Sequence, residues 1–272
     1  IVIINASNPM ELGFVNEYEN ITSVVWCPGA GQTGFNALGK ILDGEVNPSG
    51  KTSDIFVYDL KTTPSYNNFG DFHYTNMDEF AVEDRGVSYK PSFVNYVEGI
   101  YVGYRFYETA AKEGAINYAG YVQYPFGYGL SYTNFTKEMG EIVANNGKIS
   151  VDVLVTNTGN VAGKDVVQLY FNPPYTNGGI EKASTNLIGF AKTKLLQPGE
   201  SETVKITFAV EDMASFDEKI KKAYVLEKGV YEISLQEDSH NILDTRTFPL
   251  EDDIVYGDTN KRSSDDAVAT SK

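Results

Sequence analysis

Soft metal-binding and redox chemistry is nearly missing from this sequence of 272 residues, which has one cysteine, Cys27, and two histidines, His73 and His240. A single cysteine cannot close an intrachain disulfide. Cys27 lies in an apolar run and reads as a small buried hydrophobe. The two histidines fall in different predicted units and form no ligand pattern. The acids Asp252-Asp253, Asp258 and Asp265-Asp266 lack calcium-loop spacing. No metal and no cofactor is therefore expected. Basic residues are also few: 22 Lys and Arg against 37 Asp and Glu, a net charge of −15. Such a chain repels polyanions, so nucleic acid and an anionic membrane surface are poor partners. No stretch reaches the roughly 20 apolar residues of a membrane-spanning helix. No G-x-S-x-G elbow is present to nominate a nucleophilic serine.

Aromatic residues are abundant, with 19 Tyr and 15 Phe. That excess favours β-rich structure and supplies flat faces of the kind that stack on sugar rings. The chain opens on Ile1-Val-Ile-Ile4, a strand-like run with no leader pattern ahead of it. This predicts a piece of a longer protein. Asn-x-Ser/Thr triplets at Asn5, Asn20 and Asn134 are short enough to recur by chance, and no glycosylation is read from them.

The pattern divides the chain into four parts. Residues 1–60 read as α/β, with short buried strands at 1–5, 24–27 and 55–58. Helical spacing falls at 32–42, where Phe35, Leu38 and Leu42 share a face. A second helix is expected at 9–18. Alternating strands and helices predict part of a doubly wound sheet. Residues 61–133 lose periodicity and read as an irregular, aromatic-rich connecting segment packed on that unit. Residues 134–250 switch to period two, with turn signals at Asn145-Asn-Gly147, Asn157-Thr-Gly159, Pro198-Gly199 and Lys228-Gly229. About seven strands over such a length predict an immunoglobulin-like sandwich, of the fibronectin type III kind because no Cys–Trp–Cys hallmark exists. Residues 251–272 are acidic and Ser-rich and read as linker or tail.

Two glycine patterns invite a nucleotide. Gly29-Ala-Gly31-Gln-Thr-Gly34 follows a strand, precedes a helix, and has Asp54 downstream. However, Asp54 opens the third strand, whereas the ribose-binding acid belongs at the end of the second. The phosphate-loop spacing of Gly34, Gly39 and Lys40 is followed by Ile41 in place of the Ser or Thr that would bind magnesium.

More specific are ordered motifs that run the length of the chain. They are Asn47-Pro-Ser-Gly-Lys51, Tyr96-Val-Glu-Gly-Ile-Tyr-Val-Gly-Tyr-Arg105, Tyr124-Pro-Phe-Gly-Tyr-Gly-Leu-Ser-Tyr132, Val166-Val-Gln-Leu-Tyr170, Leu187-Ile-Gly-Phe190 and Leu196-Gln-Pro-Gly-Glu-Ser201. Together they resemble the second half of family 3 glycoside hydrolases, the β-glucosidase-like enzymes, over residues 1–250. One departure is Gly50-Lys-Thr-Ser-Asp54, where that family usually carries Leu-Pro after the basic residue.

The resemblance implies a retaining, exo-acting hydrolase of terminal β-linked glucose, whose partners are a β-glucoside or oligosaccharide and a barrel domain. In such enzymes the barrel bears the aspartate nucleophile, and the α/β sandwich supplies the glutamate acid/base. This chain looks like the later part of that sandwich plus the fibronectin-like module. The acid/base glutamate normally precedes the strand matching 1–5, so no catalytic residue is carried over. In some members the barrel follows the fibronectin-like module, and 251–272 would then be the connector to it. The chain's own role would be to complete the active-site wall and buttress the barrel.

The segment that follows the last α/β strand is where ligands of open α/β sheets gather. There Phe72 and Tyr74 are candidates to line the outer sugar subsite, with Asp71 bonding a hydroxyl; interdomain packing is the competing role for these rings. Glu98, set between apolar neighbours, is a candidate proton donor; a structural hydrogen bond or ion pair, for example with Arg105, is the competing and favoured role. The alternative function is a non-catalytic carbohydrate-binding or adhesion module. It accounts for 134–250 but not for the α/β start.

Overall fold

The computed structural model describes residues 1–68, 70 and 72–265. Strand β1 (Val2–Ile4) pairs in parallel with β2 (Val24–Trp26). The predicted helix between them is a single 3-10 turn, Gly13–Glu17; Gly13 in its interior is a poor helix former. Helix α1 (Gly34–Leu42) follows β2 as the spacing predicts, and Gly44 just beyond it adopts a positive φ. Strand β3 (Phe56–Val57) is the third α/β strand. Next come two short antiparallel pairs: β4 (Phe72–His73) with β7 (Ser92–Phe93), and between them β5 (Val82–Asp84) with β6 (Val87–Tyr89).

The segment 61–133 is more regular than the sequence pattern implies. Helix α2 (Tyr104–Lys112), helix α3 (Tyr118–Tyr121) and strand β8 (Val122–Tyr124) return the chain to the α/β unit, where β8 pairs antiparallel with β3. The buried residues of α2 are Tyr107 and the charged Glu108, so its inward face does not read as an apolar stripe. Two small cores result. Ile4, Leu12 and Phe56 form one, with Trp26 edge-on to Phe56; Ile55, Val57, Tyr107, Tyr118 and Val122 form the other.

From residue 135 the chain builds a two-layer sandwich. Strands β9 (Phe135–Asn145), β10 (Lys148–Asn157) and β13 (Ser201–Ala209) form one sheet in the order β13-β10-β9. The other runs β12-β11-β16-β17, from β11 (Val166–Asn172), β12 (Asn186–Lys192), β16 (Gly229–Gln236) and β17 (Ile242–Leu250). The β9–β10 hairpin turns through Asn146 and Gly147, both at positive φ, the two-residue turn that matches strand twist. Alternate residues Ile149, Val151, Val153 and Val155 of β10 are fully buried against Val167, Leu169, Ile233 and Leu235 of the facing sheet. Each such side chain contributes about 1.5–3 kcal/mol relative to exposure.

The expected tail does not begin at 251. Strand β18 (Ile254–Tyr256) pairs with β15 (Ala223–Leu226), which also pairs with β14 (Ser215–Asp217). The Arg262 guanidinium then sits 3.4 Å over the ring of Tyr224. Ile254, Val255 and Tyr256 form a strand that the surrounding acidic residues obscure in sequence. Residues 266–272 lie outside the described part.

The second face of β11 and β16 is buried as well, under the α/β unit. It carries Gln168, Tyr170, Ser234 and Gln236, all at least nine-tenths covered. Polar groups in such a layer must be hydrogen-bonded. Gln168 Nε2 donates to the carbonyls of Gly127 and Glu237, and Tyr170 donates to Gln168 Oε1 at 2.8 Å. Nearby, Lys137 Nζ lies 2.9 Å from Asp165 and 2.6 Å from Glu237, and Lys51 joins the same two acids at 3.6 and 3.4 Å. Asn47 Oδ1 accepts from Ser131 Oγ and the Tyr132 amide, while its Nδ2 donates to the Ala162 carbonyl. The Asn-Pro-Ser-Gly-Lys and Tyr-Pro-Phe-Gly-Tyr-Gly motifs thus form the joint between the two units.

Glu108 closes that joint from the other side. Its buried carboxylate accepts from Tyr118 Oη at 2.7 Å and Ser239 Oγ at 2.9 Å, and it lies 2.8 Å from His240 Nδ1. The His240 ring stacks on Tyr118, with centroids 3.6 Å apart.

Two outcomes follow from the joint. A Cβ on Gly129 would stand 2.2 Å from the Gly50 carbonyl oxygen, a backbone atom that cannot step aside. Gly129→Ala should therefore cost about 1–3 kcal/mol in urea unfolding, with unchanged stability counting against this account. The hydrogen bond to Glu108 raises the His240 pKa above its ordinary 6.5, against the opposing effect of burial. A group raised on folding stabilises fully below its unfolded pKa and loses that contribution as pH rises through the folded value. The difference in Tm between wild type and His240→Gln should thus be largest near pH 5.5 and shrink at alkaline pH; a gap that widens at high pH would refute the pairing.

Candidate functional site

Phe72 and Tyr74 come together around a third ring that the sequence did not nominate, Phe93. The β4–β7 pairing sets Phe72 directly opposite Phe93. Their ring centroids lie 5.8 Å apart, and those of Tyr74 and Phe93 lie 4.9 Å apart. Opposed rings on a two-stranded ribbon hold each other in place. Phe93 could have been found from its place in the run Pro91-Ser-Phe93, a strand-like aromatic facing the Phe72 segment, but the pairing of two such short strands is invisible to periodicity. Phe72 is 39% exposed and Tyr74 53% exposed, so the cluster keeps open faces. Asp71, the third candidate, lies outside the described residues.

Beyond the cluster, the β5–β6 hairpin extends the arm, turning through Arg85 and Gly86 at positive φ. Phe80, Val82, Val87 and Tyr89 are exposed along it. His73 Nδ1 lies 3.3 Å from the Pro91 carbonyl, closer to structural use than to catalysis.

Glu98 is held by Asn68, whose Nδ2 donates to Oε2 at 2.7 Å. Among the described residues, Arg105 is not its partner. The Asn68–Glu98 contact anchors the start of the aromatic arm to its end, 30 residues apart in sequence. The glycine turn after β2 places Gly29 and Gly31 at positive φ and runs into α1, as expected for a tight strand-to-helix turn. Asp54 caps the next segment, accepting from the Ile55 amide, and desolvation raises its pKa. Among the described residues, no group of three or more His, Cys, Asp or Glu could hold a metal ion. No helix among them is long and apolar enough to cross a membrane.

The arrangement that remains is a set of solvent-facing rings on a hydrogen-bonded arm, carried by the α/β unit. Flat apolar faces with polar edges suit the alternating CH and OH surfaces of a sugar. What the arm lacks in itself is an enclosure.

Residues 1–104 match the glycosyl hydrolase family 3 C-terminal domain, and residues 165–239 match the fibronectin type III-like domain. β-Glucosidase A of Butyrivibrio fibrisolvens is 39% identical over 94% of this chain. The structure of the Kluyveromyces marxianus β-glucosidase in complex with glucose superposes with a TM-score of 0.77 at 29% identity, over 94% of this chain and 27% of that one. The Thermotoga neapolitana β-glucosidase 3B structure in complex with glucose gives a TM-score of 0.75 at 33% identity, over 93% of this chain and 31% of that one. The chain spans 30% of the length of the Butyrivibrio relative and 24% of a Ruminococcus albus β-glucosidase. Both halves of the fold are thereby accounted for, and the chain belongs to family 3 of the glycoside hydrolases, comprising its C-terminal α/β domain and its fibronectin type III-like domain.

Proposed function

We propose that this chain is the accessory part of a retaining, exo-acting β-glucosidase that releases terminal β-linked glucose from glucosides or oligosaccharides. The observation that carries this reading is the 39% identity, over nearly the whole chain, to a β-glucosidase. Retaining hydrolysis needs two carboxyl groups about 5–5.5 Å apart, one as nucleophile and one as acid/base. In this reading the nucleophile comes from a barrel domain of the same enzyme, and the chain alone is inactive.

The α/β unit supports a packing partner. Ile1, Ile3, Phe35, Leu42, Val46 and Leu130 are exposed apolar side chains on it, which a packing partner would cover. Among the described residues its parallel sheet has two strands, which is marginal without further cover. The barrel is the body that would lie against it.

In the assembled enzyme the aromatic arm completes one wall of the pocket. Phe72 and Tyr74 line the outer sugar subsite by stacking, with Phe93 fixing their tilt. Asp71, immediately before Phe72 in sequence, accepts a hydrogen bond from a sugar hydroxyl.

Two measurements test this. In the complete enzyme, Phe72→Ala and Tyr74→Ala should each raise KM for an oligosaccharide about fivefold, equivalent to about 1 kcal/mol of lost ring contact, with kcat little changed. Michaelis constants equal to wild type would remove the arm from the subsite. The chain incubated alone with an aryl β-glucoside should release no phenol, and adding the barrel part should restore turnover. Hydrolysis by the chain alone at ordinary enzymatic rates would overturn the accessory role.

A further inference from the structure

A cleft of about 550 Å³ lies where the two units meet. Its volume falls within the roughly 300–1,000 Å³ usual for small-molecule sites, and domain junctions are a preferred location for them. One wall is α2 with the turn ahead of it. The other is the end of β11 with the loop that follows it, residues 172–184, and the floor is the start of β16. We propose that this cleft binds a short neutral oligosaccharide, making it a sugar-binding site formed jointly by the α/β unit and the sandwich.

The first support is that the walls are already fixed. Lys182 Nζ is buried and binds both the Pro174 carbonyl and Glu227, at 2.5 Å each, which pins the loop across its own base. Tyr101 Oη donates to Glu181 at 2.7 Å, tying the turn before α2 to that loop. The Ser184 amide donates to Thr109 Oγ1 at 3.0 Å, tying the loop to α2 itself. A site ordered beforehand loses less entropy on binding.

The second support is the chemistry of the lining. Tyr101 and Tyr175 supply ring faces, and Tyr175 is 45% exposed. Asn172 donates to Glu232 at 2.6 Å, presenting an amide and a carboxylate side by side. Asn177, Lys112 and Glu113 also line the cleft and make no side-chain hydrogen bond or ion pair among the described residues. Donors and acceptors beside aromatic faces are what a polyhydroxylated ring satisfies.

The third support is charge. Of the two lysines in the lining, Lys182 is already neutralised by Glu227. One lysine, Lys112, then stands against two carboxylates, Glu113 and Glu232. With a net chain charge of −15, an anionic ligand such as a phosphate is disfavoured. A purely apolar ligand would strand the amides and carboxylates without partners.

The test is calorimetric titration of the full 272-residue chain with cellotetraose, and separately with inorganic phosphate. Saturable cellotetraose binding is expected, weakened at least about fivefold in Tyr175→Ala through loss of a stacking face and weakened also in Asn177→Ala. Both positions are on the exposed loop, so melting curves should match wild type. Phe190→Ala, which removes an exposed ring of β12 that is not part of the cleft lining, should bind as wild type does. Absence of cellotetraose binding overturns the proposal. So does tighter binding of inorganic phosphate, an affinity unchanged in Tyr175→Ala, or a loss in Phe190→Ala as large as that in Tyr175→Ala.

Discussion

The Gln168 side chain, held between the Gly127 and Glu237 carbonyls, is the contact on which the rest of this architecture depends. A β-sandwich needs only one buried face per sheet. Here β11 buries both, and its outward layer is polar. An amide can be buried there only because two backbone carbonyls receive it, and the chain reaches Gln168 so closely only because residue 127 has no side chain. A Cβ there would stand 2.2 Å from Gln168 Oε1. The glycine-punctuated aromatic motif is thus a mould for the sandwich surface, and the orientation of one domain on the other is set by hydrogen-bond geometry more than by apolar area.

The sandwich was the part most legible in the sequence. Lys148–Asn157 alternates cleanly because one face meets the core and the other meets water, and Asn146-Gly147 announces its turn. Legibility failed where a segment answers to something other than its own period. Helix α2 turns a glutamate inward because Ser239 and His240 await it from another domain, 131 and 132 residues away. Strand β18 sits among acids but borrows its ladder from β15. The arm's pairing of Phe72 with Phe93 depends on two-residue strands, too short for any periodicity to register.

The same physics separates the motifs from the candidate site. The ordered motifs identified the family, yet Asn47, Lys51, Gly127 and Gly129 join domains and have no evident part in chemistry. The rings best placed to meet a sugar lie in the stretch with no regular pattern. Rigid elements carry the joint, and the recognition proposed above falls to a loosely patterned arm, which is the usual division between scaffold and loop.

The Asn68–Glu98 bond ties the arm's two ends together at its root. What lies between is a closed loop whose length the scaffold does not sense. Doubling such a loop costs only about 0.6 kcal/mol in closure entropy. Insertions, deletions and new rings can accumulate there while the domains keep their register, so diversification of the arm's surface and persistence of the architecture become independent evolutionary variables.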